Sequence, residues 1–296
     1  GTVMPEHLTV WQQMGINRVS LGLQSAQNRE LQMLGRIHSY EEFLTTYQMI
    51  RQSGMDQINI DVMAAIPEQT LESYQDTLEK IVSLNPEHIS SYSLIIEPGT
   101  VFGDWEKKGT LKHVDEDVDR QMYEWTGKYL QHMGYQRYEI SNYCRDGMEC
   151  RHNCVYWSGG EYLGLGVNAS SYLTGYRFHV PVSQKTYRSY VDRICVLAEK
   201  ESEGLKKAVQ EMDELEFIDQ RAQMEEFMFL GLRMMAGVSE QEFYQRFGIS
   251  MMEVYGDIIK KYQNMDLLCR RDTGRVALTE KGIDVSNSIL SDFLLN

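Results

Sequence analysis

The strongest constraint on this chain is an alternation of two periodicities in its first hundred residues. Residues 18–23, 58–63 and 88–96 are short runs rich in Val, Ile and Leu, and stretches with helical spacing of apolar residues separate them. Pro5 marks a helix start, and the helix through Trp11 and Met14 ends at Gly15. Ser39 and Glu42 form a capping-box pattern ahead of Phe43, Tyr47 and Ile50, and Gly54 closes that helix. Leu71, Tyr74, Leu78 and Ile81 mark another helical face, which Pro86 stops. Strands joined through helices need a crossover and therefore run parallel. The sequence thus predicts an α/β fold with three βα units. Three units are too few to close a barrel, so the expectation is a partial (β/α) barrel truncated on its N-terminal side.

Downstream the pattern changes. A long helix is predicted from about Asp115 to Met133, with Gly134 after it, and residues 135–180 are rich in Tyr, Gly and Asn and read as strands and loops. Residues 181–212 read as a polar connecting region and 213–296 as a small separate module. In that module Met224 to Met235 is an apolar helix, and Ser239/Glu242 and Ser250/Glu253 are two further capping boxes. A hairpin from Leu267 to Leu278 turns at Asp272-Thr273-Gly274, and a final helix follows Thr279. This order is winged-helix-like, a small α+β arrangement. Its candidate recognition helix carries Glu253 and Asp257 against Lys260 and Lys261, so it offers no basic face to a DNA groove.

Charge points the same way: 43 acidic residues against 29 basic ones, a formal net charge of -14, exclude a general nucleic-acid-binding role. No apolar run approaches the ~20 residues that span a bilayer. The chain opens on Gly1 without an initiator Met, as expected of a processed chain, of an engineered expressed piece, or of a piece cut from something longer, and no secretory signal is visible. Five cysteines, Cys144, Cys150, Cys154, Cys195 and Cys269, lack a framework spacing and read as thiols of a cytoplasmic protein.

Three stretches carry chemistry. The first is Cys150-Arg151-His152-Asn153-Cys154-Val155-Tyr156-Trp157. An imidazole can donate nitrogen to heme iron, and on a helix His152 and Tyr156 would share a face. The plainer reading is a structural histidine. As a strand the segment would align Cys150, His152 and Cys154 for zinc, but no second ligand pair accompanies them. The second is Gly164-x-Gly166-x-x-Ala169, which imitates a dinucleotide fingerprint. No acidic residue follows at the required offset, which favours close backbone packing instead. The third is Gln24, Arg36 and Asp61, at or after the ends of predicted strands, where α/β sheets bind ligands. Asp61 in an apolar strand must be paired or bind something. It can accept from ribose hydroxyls while Arg36 clamps a carboxylate; the structural alternative is an Arg36–Asp61 ion pair. Glu97-Pro98-Gly99-Thr100 reads as a turn.

Taken in order, Asn17-Arg18-Val19-Ser20-Leu21-Gly22-Leu23-Gln24-Ser25, Leu34-Gly35-Arg36-Ile37-His38, Asn59-Ile60-Asp61, Pro67-x-Gln69-Thr70, Glu97-Pro98-Gly99-Thr100 and Tyr138-Glu139-Ile140-Ser141-Asn142 resemble the radical-SAM proteins related to oxygen-independent coproporphyrinogen III oxidase. The resemblance runs over essentially the whole chain. The Glu-Pro-Gly-Thr turn and His-Asn-x-x-Tyr point to the heme chaperone branch. This resemblance implies that Gln24, Arg36 and Asp61 contact S-adenosylmethionine with main chain near Ile95 beside it, and that His152, Asn153 and Tyr156 belong to a heme-binding motif, His152 as iron ligand. It implies a heme chaperone serving heme-accepting respiratory enzymes. The alternative it leaves is an enzyme, in which an electron from a [4Fe–4S] cluster cleaves S-adenosylmethionine and the deoxyadenosyl radical takes a hydrogen from a porphyrinogen propionate. For the full-length parent it allows a homodimer and peripheral membrane association.

Three departures qualify the resemblance. The family's Cys-x3-Cys-x2-Cys cluster loop has no counterpart here, so this polypeptide alone is expected neither to hold the cluster nor to cleave the cofactor. Ala64-Ala65-Ile66-Pro67 stands where the family usually has Tyr-Gly-Leu-Pro. Asn168 and Ser170 replace the Gly and His typical of the loop after Gly166, so a histidine of that loop is absent.

Overall fold

The computed structural model describes residues 3–180, 183, 187–189, 191, 192, 195 and 215–295. Contacts divide the chain into two compact units, Gly1–Glu149 and Cys150–Asn296. The division falls upstream of the boundary expected at 180, and the connecting region expected at 181–212 lies almost wholly outside the described residues.

In the first unit α1 (Pro5–Gln13), β1 (Arg18–Gln24), α2 (Asn28–Met33), α3 (Tyr40–Gln52), β2 (Gln57–Ala64), α4 (Leu71–Ser83), β3 (His88–Ser93), α5 (Val101–Lys107), α6 (Glu116–His132), β4 (Gln136–Glu139) and β5 (Asn142–Cys144) follow in order. The sheet order is β1-β2-β3-β5-β4. The first three strands are parallel, as their helical crossovers require, and β5 and β4 extend the sheet antiparallel. Ser39 and Glu42 form the expected capping box, and Asp115 caps α6 through the Asp117 N–H. β3 ends three residues earlier than the apolar run suggests: past Ser93 the Leu94 N–H turns to the Ala64 carbonyl at 2.9 Å.

Alternation gives the sheet two unlike faces. Ile58, Ile60 and Val62 of β2 are fully buried in one core with Tyr47 and Ile50 of α3, Tyr74, Leu78 and Ile81 of α4, and Met122 and Leu130 of α6. Each such side chain contributes roughly 1.5–3 kcal/mol. Tyr74 keeps its hydroxyl satisfied inside this core through Ser91 (2.8 Å) and Thr126 (2.7 Å), which ties β3, α4 and α6 together. The loop after β2 is held by the buried Glu30 carboxylate, which accepts from Ser25 Oγ (2.6 Å), Gln69 Nε2 (2.9 Å) and Ser73 Oγ (2.5 Å).

The second unit contains α7 (Arg151–Trp157), β6 (Ser170–Leu173), β7 (Tyr176–His179), β8 (Glu216–Phe217), α8 (Gln220–Gly231), β9 (Val238–Ser239), α9 (Glu240–Phe247), α10 (Met251–Asn264), β10 (Leu268–Arg271), β11 (Arg275–Leu278), α11 (Glu280–Asp284) and α12 (Ser286–Ser291). Sheets β6-β7-β8 and β10-β11-β9 are antiparallel, and the latter with α8–α10 gives the winged-helix-like arrangement. Three details differ from expectation. α8 begins at Gln220, not Met224, because Asp219 accepts from the Ala222 N–H and so caps it. Ser250 caps through Met252 and not through Glu253. The final helix is broken at Val285 into two. Among the described residues no helix is long and apolar enough to cross a membrane.

Both glycine replacements noted in the sequence fall on left-handed backbone: Ala65 at φ +56° and Asn168 at φ +60°. Asn tolerates this conformation through its short polar side chain, whereas Ala does not. Ala65→Gly is therefore expected to raise the stability of the first unit by about 0.5–1 kcal/mol, the relief of left-handed strain less the extra chain entropy of glycine. The urea unfolding midpoint reads this; a lower midpoint would show that the Ala65 methyl contributes more than its backbone costs.

Candidate functional site

The face of the sheet opposite the apolar core is polar at nearly every position. Register places Ser20 beside Asn59 and Gly22 beside Asp61, and places Asn59 beside His88, Asp61 beside Ser90 and Met63 beside Tyr92. The same alternation that buries Val and Ile on one side lines these residues up on the other. Asp61 is half-buried; its Oδ1 accepts from Asn59 Nδ2 at 2.6 Å and its Oδ2 from Ser20 Oγ at 3.4 Å. A carboxylate has about four acceptor positions, so Asp61 retains capacity for further donors.

Gln24 ends β1 at φ +75°, buried, with its Oε1 accepting from the Tyr92 hydroxyl at 3.1 Å. A Cβ on Gly22 would stand 2.9 Å from Gln24 Nε2 and 4.0 Å from Asp61 Oδ2, so the Gln24 amide can lie where it does because residue 22 has no side chain. Burial raises the pKa of the Tyr92 hydroxyl, and Asp61 adds to the effect, while the Gln24 bond and the Arg36 charge oppose it. Gln24, Arg36 and Asp61 thus all lie near enough to act on the Tyr92 hydroxyl. The alternative Arg36–Asp61 ion pair is not formed: Asp61 has Asn59 and Ser20 as partners, and Arg36, exposed, lines a cavity of about 600 Å³ along the free edge of β1 with Ser20 and Gly22. Ile95 lies two residues past β3 with its side chain 77% exposed.

Beneath Asp61 sits a buried chain of polar groups. His88, 1% exposed, places Nδ1 2.6 Å from Asn59 Oδ1 and Nε2 2.9 Å from the Tyr138 hydroxyl. Asn59 Nδ2 also meets Ser20 Oγ at 2.6 Å. Burial, with the Arg18 charge, pushes the imidazole pKa down to about 3. The sequence alone assigns no role to Ser20, Gly22, Asn59, His88 or Tyr92. The signal that finds them is period-two polarity inside strands whose alternate positions are aliphatic.

In the second unit Cys150-to-Trp157 is a helix, not a strand, so Cys150, His152 and Cys154 do not share a strand face. Among the described residues no three His, Cys, Asp or Glu side chains group to hold a metal ion. His152 and Tyr156 do share one face of α7. Tyr156 Oη lies 2.8 Å from His152 Nε2, with ring centroids 4.8 Å apart. Tyr156 in turn packs edge-on against Tyr162 at 4.7 Å, and Tyr162 against Tyr172 at 6.4 Å. His152 is exposed and Asn153 half-buried. Gly164 packs as the simpler reading expects: a Cβ there would meet the Ser170 carbonyl at 2.4 Å, and the strand β6, not a helix, follows the glycine loop. Ser170 Oγ lies 3.1 Å from Nδ1 of His179 on the paired strand, so a histidine does border this loop, contributed from β7.

Residues 1–81 match the Radical SAM superfamily and residues 218–285 the HemN C-terminal domain. The heme chaperone HemW of Lactococcus lactis is 33% identical over 296 residues, which takes in 100% of this chain and 74% of that protein. HemW of Bacillus subtilis is 33% identical over 98% of this chain and 72% of its own length. The solved structure of coproporphyrinogen III oxidase (HemN) from Escherichia coli superposes with a TM-score of 0.74 at 18% identity, covering 99% of this chain and 67% of that one. At that identity the likeness establishes the fold.

His88 also predicts a pH dependence. Its pKa is about 3 in the folded chain and 6.5 in the ordinary imidazole, so below pH 6.5 the unfolded chain takes up a proton that the folded chain refuses. Stability should therefore fall as pH drops from 6.5 towards 3, with a slope approaching about 1.4 kcal/mol per pH unit from this group. Chemical denaturation from pH 7 to 4 of the wild type and of His88→Gln isolates the contribution. Parallel curves would mean that the imidazole titrates normally.

Proposed function

The chain belongs to the heme chaperone HemW family of radical-SAM proteins, and from that premise we propose that it binds heme at His152 and S-adenosylmethionine at the polar sheet face, for transfer of heme to heme-requiring respiratory proteins. The observation that carries the heme reading is the pairing of His152 with Tyr156 on the accessible face of α7. An exposed imidazole backed by Tyr156 and Tyr162 suits a planar apolar macrocycle with a metal at its centre. Asn153, one residue on, would bond a propionate. Ligation through Nε2 requires the Tyr156 hydroxyl to leave it, so the proposed site is closed by one weak, exchangeable bond.

For the nucleoside cofactor, the bare backbone at Gly22 lets the Gln24 amide lie close to it on the side of Asp61, where a Cβ would displace it. Asp61 would accept from ribose hydroxyls, Gln24 Nε2 would donate, and Arg36 would pair with the cofactor's carboxylate. The cofactor, with a [4Fe–4S] cluster, supplies radical chemistry in this superfamily. Among the described residues no His, Cys, Asp or Glu side chains group to provide the cluster site. The oxidase alternative uses the same cofactor pocket; its support here is the HemN likeness, which speaks to fold alone.

Hemin titration followed at the Soret band tests the heme reading. His152→Ala is expected to abolish the ligation spectrum, and an unchanged band would remove His152 from the site. Tyr156→Phe frees Nε2 and is expected to tighten hemin binding by roughly 2- to 10-fold, the worth of one ordinary hydrogen bond. Weaker binding in that variant would place the Tyr156 hydroxyl on the heme instead.

A further inference from the structure

We propose that Asn59, His88 and Tyr138 form a one-directional hydrogen-bond relay that fixes the orientation of the Asp61 carboxylate for the hydroxyls of a ribose. The proposal rests on the reading that Asp61 binds the nucleoside cofactor, and it adds three positioning residues from outside the contact surface.

The direction of every bond follows from the acceptors at the open end. An ionised carboxylate only accepts. Asp61 Oδ1 is 2.6 Å from Asn59 Nδ2, so the Asn59 amide must present its NH₂ to Asp61; the flipped amide would press two acceptors together. The same NH₂ donates to Ser20 Oγ at 2.6 Å, which leaves the Ser20 hydroxyl hydrogen for Asp61 Oδ2. Asn59 Oδ1 then faces His88 Nδ1 at 2.6 Å and Ser90 Oγ at 3.2 Å and accepts from both. His88 must therefore carry its proton on Nδ1. Burial keeps the imidazole neutral, so Nε2 is bare, and Tyr138 at 2.9 Å must donate to it. The result reads Tyr138 O–H to His88 Nε2, His88 Nδ1–H to Asn59 Oδ1, Asn59 Nδ2–H to Asp61 Oδ1. Three of the four residues are at most 8% exposed, which removes water as a competing partner. In such surroundings polarised chains of this kind strengthen one another.

With Oδ1 held by Asn59 and Oδ2 by Ser20, the remaining lone pairs of Asp61 are left as the pocket's acceptors. Tyr138 and His88 also stack edge-on, with centroids 5.5 Å apart, so the imidazole is held in its plane.

Two measurements on the full chain test this. The first needs no ligand. Nitrogen-15 NMR of the histidine side chains should show His88 as the Nδ1–H tautomer across pH 5–8, and Asn59→Ala, which removes the acceptor of that hydrogen, should turn it into a mixture of tautomers. Tyr138→Phe, which keeps the ring and removes only the hydroxyl, should move the His88 tautomer balance towards Nε2–H. An Nε2–H tautomer in the wild type, or a tautomer balance indifferent to both Asn59→Ala and Tyr138→Phe, would overturn the relay. The second is calorimetry with adenosine and 2′,3′-dideoxyadenosine. Asp61→Asn should abolish the preference for the ribose hydroxyls, and His88→Gln should reduce it on the order of 10-fold. If Asp61→Asn keeps the preference, the ribose reading falls while the NMR result still judges the relay. If Asp61→Asn loses it and His88→Gln does not, the relay alone falls.

Discussion

Everything in the first unit depends on three parallel strands having two chemically opposite faces. Ile58, Ile60 and Val62 point into a core closed by α3, α4 and α6, while Asn59 and Asp61, one residue out of phase, point the other way. Moving the register of β2 by one residue would bury Asp61 among aliphatic side chains and expose the isoleucines. That cost is large enough to fix the strand alignment, and with it the position of every polar group on the open face. The cofactor chemistry proposed for this face is therefore a consequence of the packing on its reverse.

The α/β class, the parallel order and most helix ends were legible in sequence because they follow from local rules. Ser39 and Glu42, Asp115, and Gly54 announce their caps by type and spacing alone. Asp61 was legible for a different reason: a carboxylate in an apolar run demands an explanation. His88 was not, because it opens its strand and looks like a boundary residue until β2 is laid beside it. Its partners lie 29 and 50 residues away, at Asn59 and Tyr138. No local rule links them; only the strand register does. The start of α8 was missed by four residues, since Asp219 caps it from a stretch whose apolar periodicity begins only later.

The helical state of residues 151–157 decides what the His-Asn-x-x-Tyr segment can be. On a strand, positions 152 and 156 would also fall on one side, but some 13 Å apart. On a helix they stack one turn apart, and a 2.8 Å contact becomes attainable. The thiols are separated from this arrangement by the same geometry, because Cys154 and Val155 line a different side of α7, against Phe227 and Val238. A zinc reading needs three ligands converging on one point, and on a helix His152 is turned away from Cys150 and Cys154.

The Tyr156–His152 contact bears on what a carrier of heme requires. A carrier must hold its cargo through bonds that another protein can replace. An imidazole whose unliganded state is already satisfied by a neighbouring hydroxyl loses little when iron departs, since the Tyr156 bond re-forms as the metal leaves. The net gain on ligation is the iron–nitrogen bond less that hydrogen bond, which is worth about 0.5–1.5 kcal/mol. An enzyme that retains its heme gains nothing from such a stand-in and would exclude it. On the proposed reading, then, the tyrosine four residues after the histidine lowers affinity in order to ease release, and this favours transfer of heme over its permanent retention.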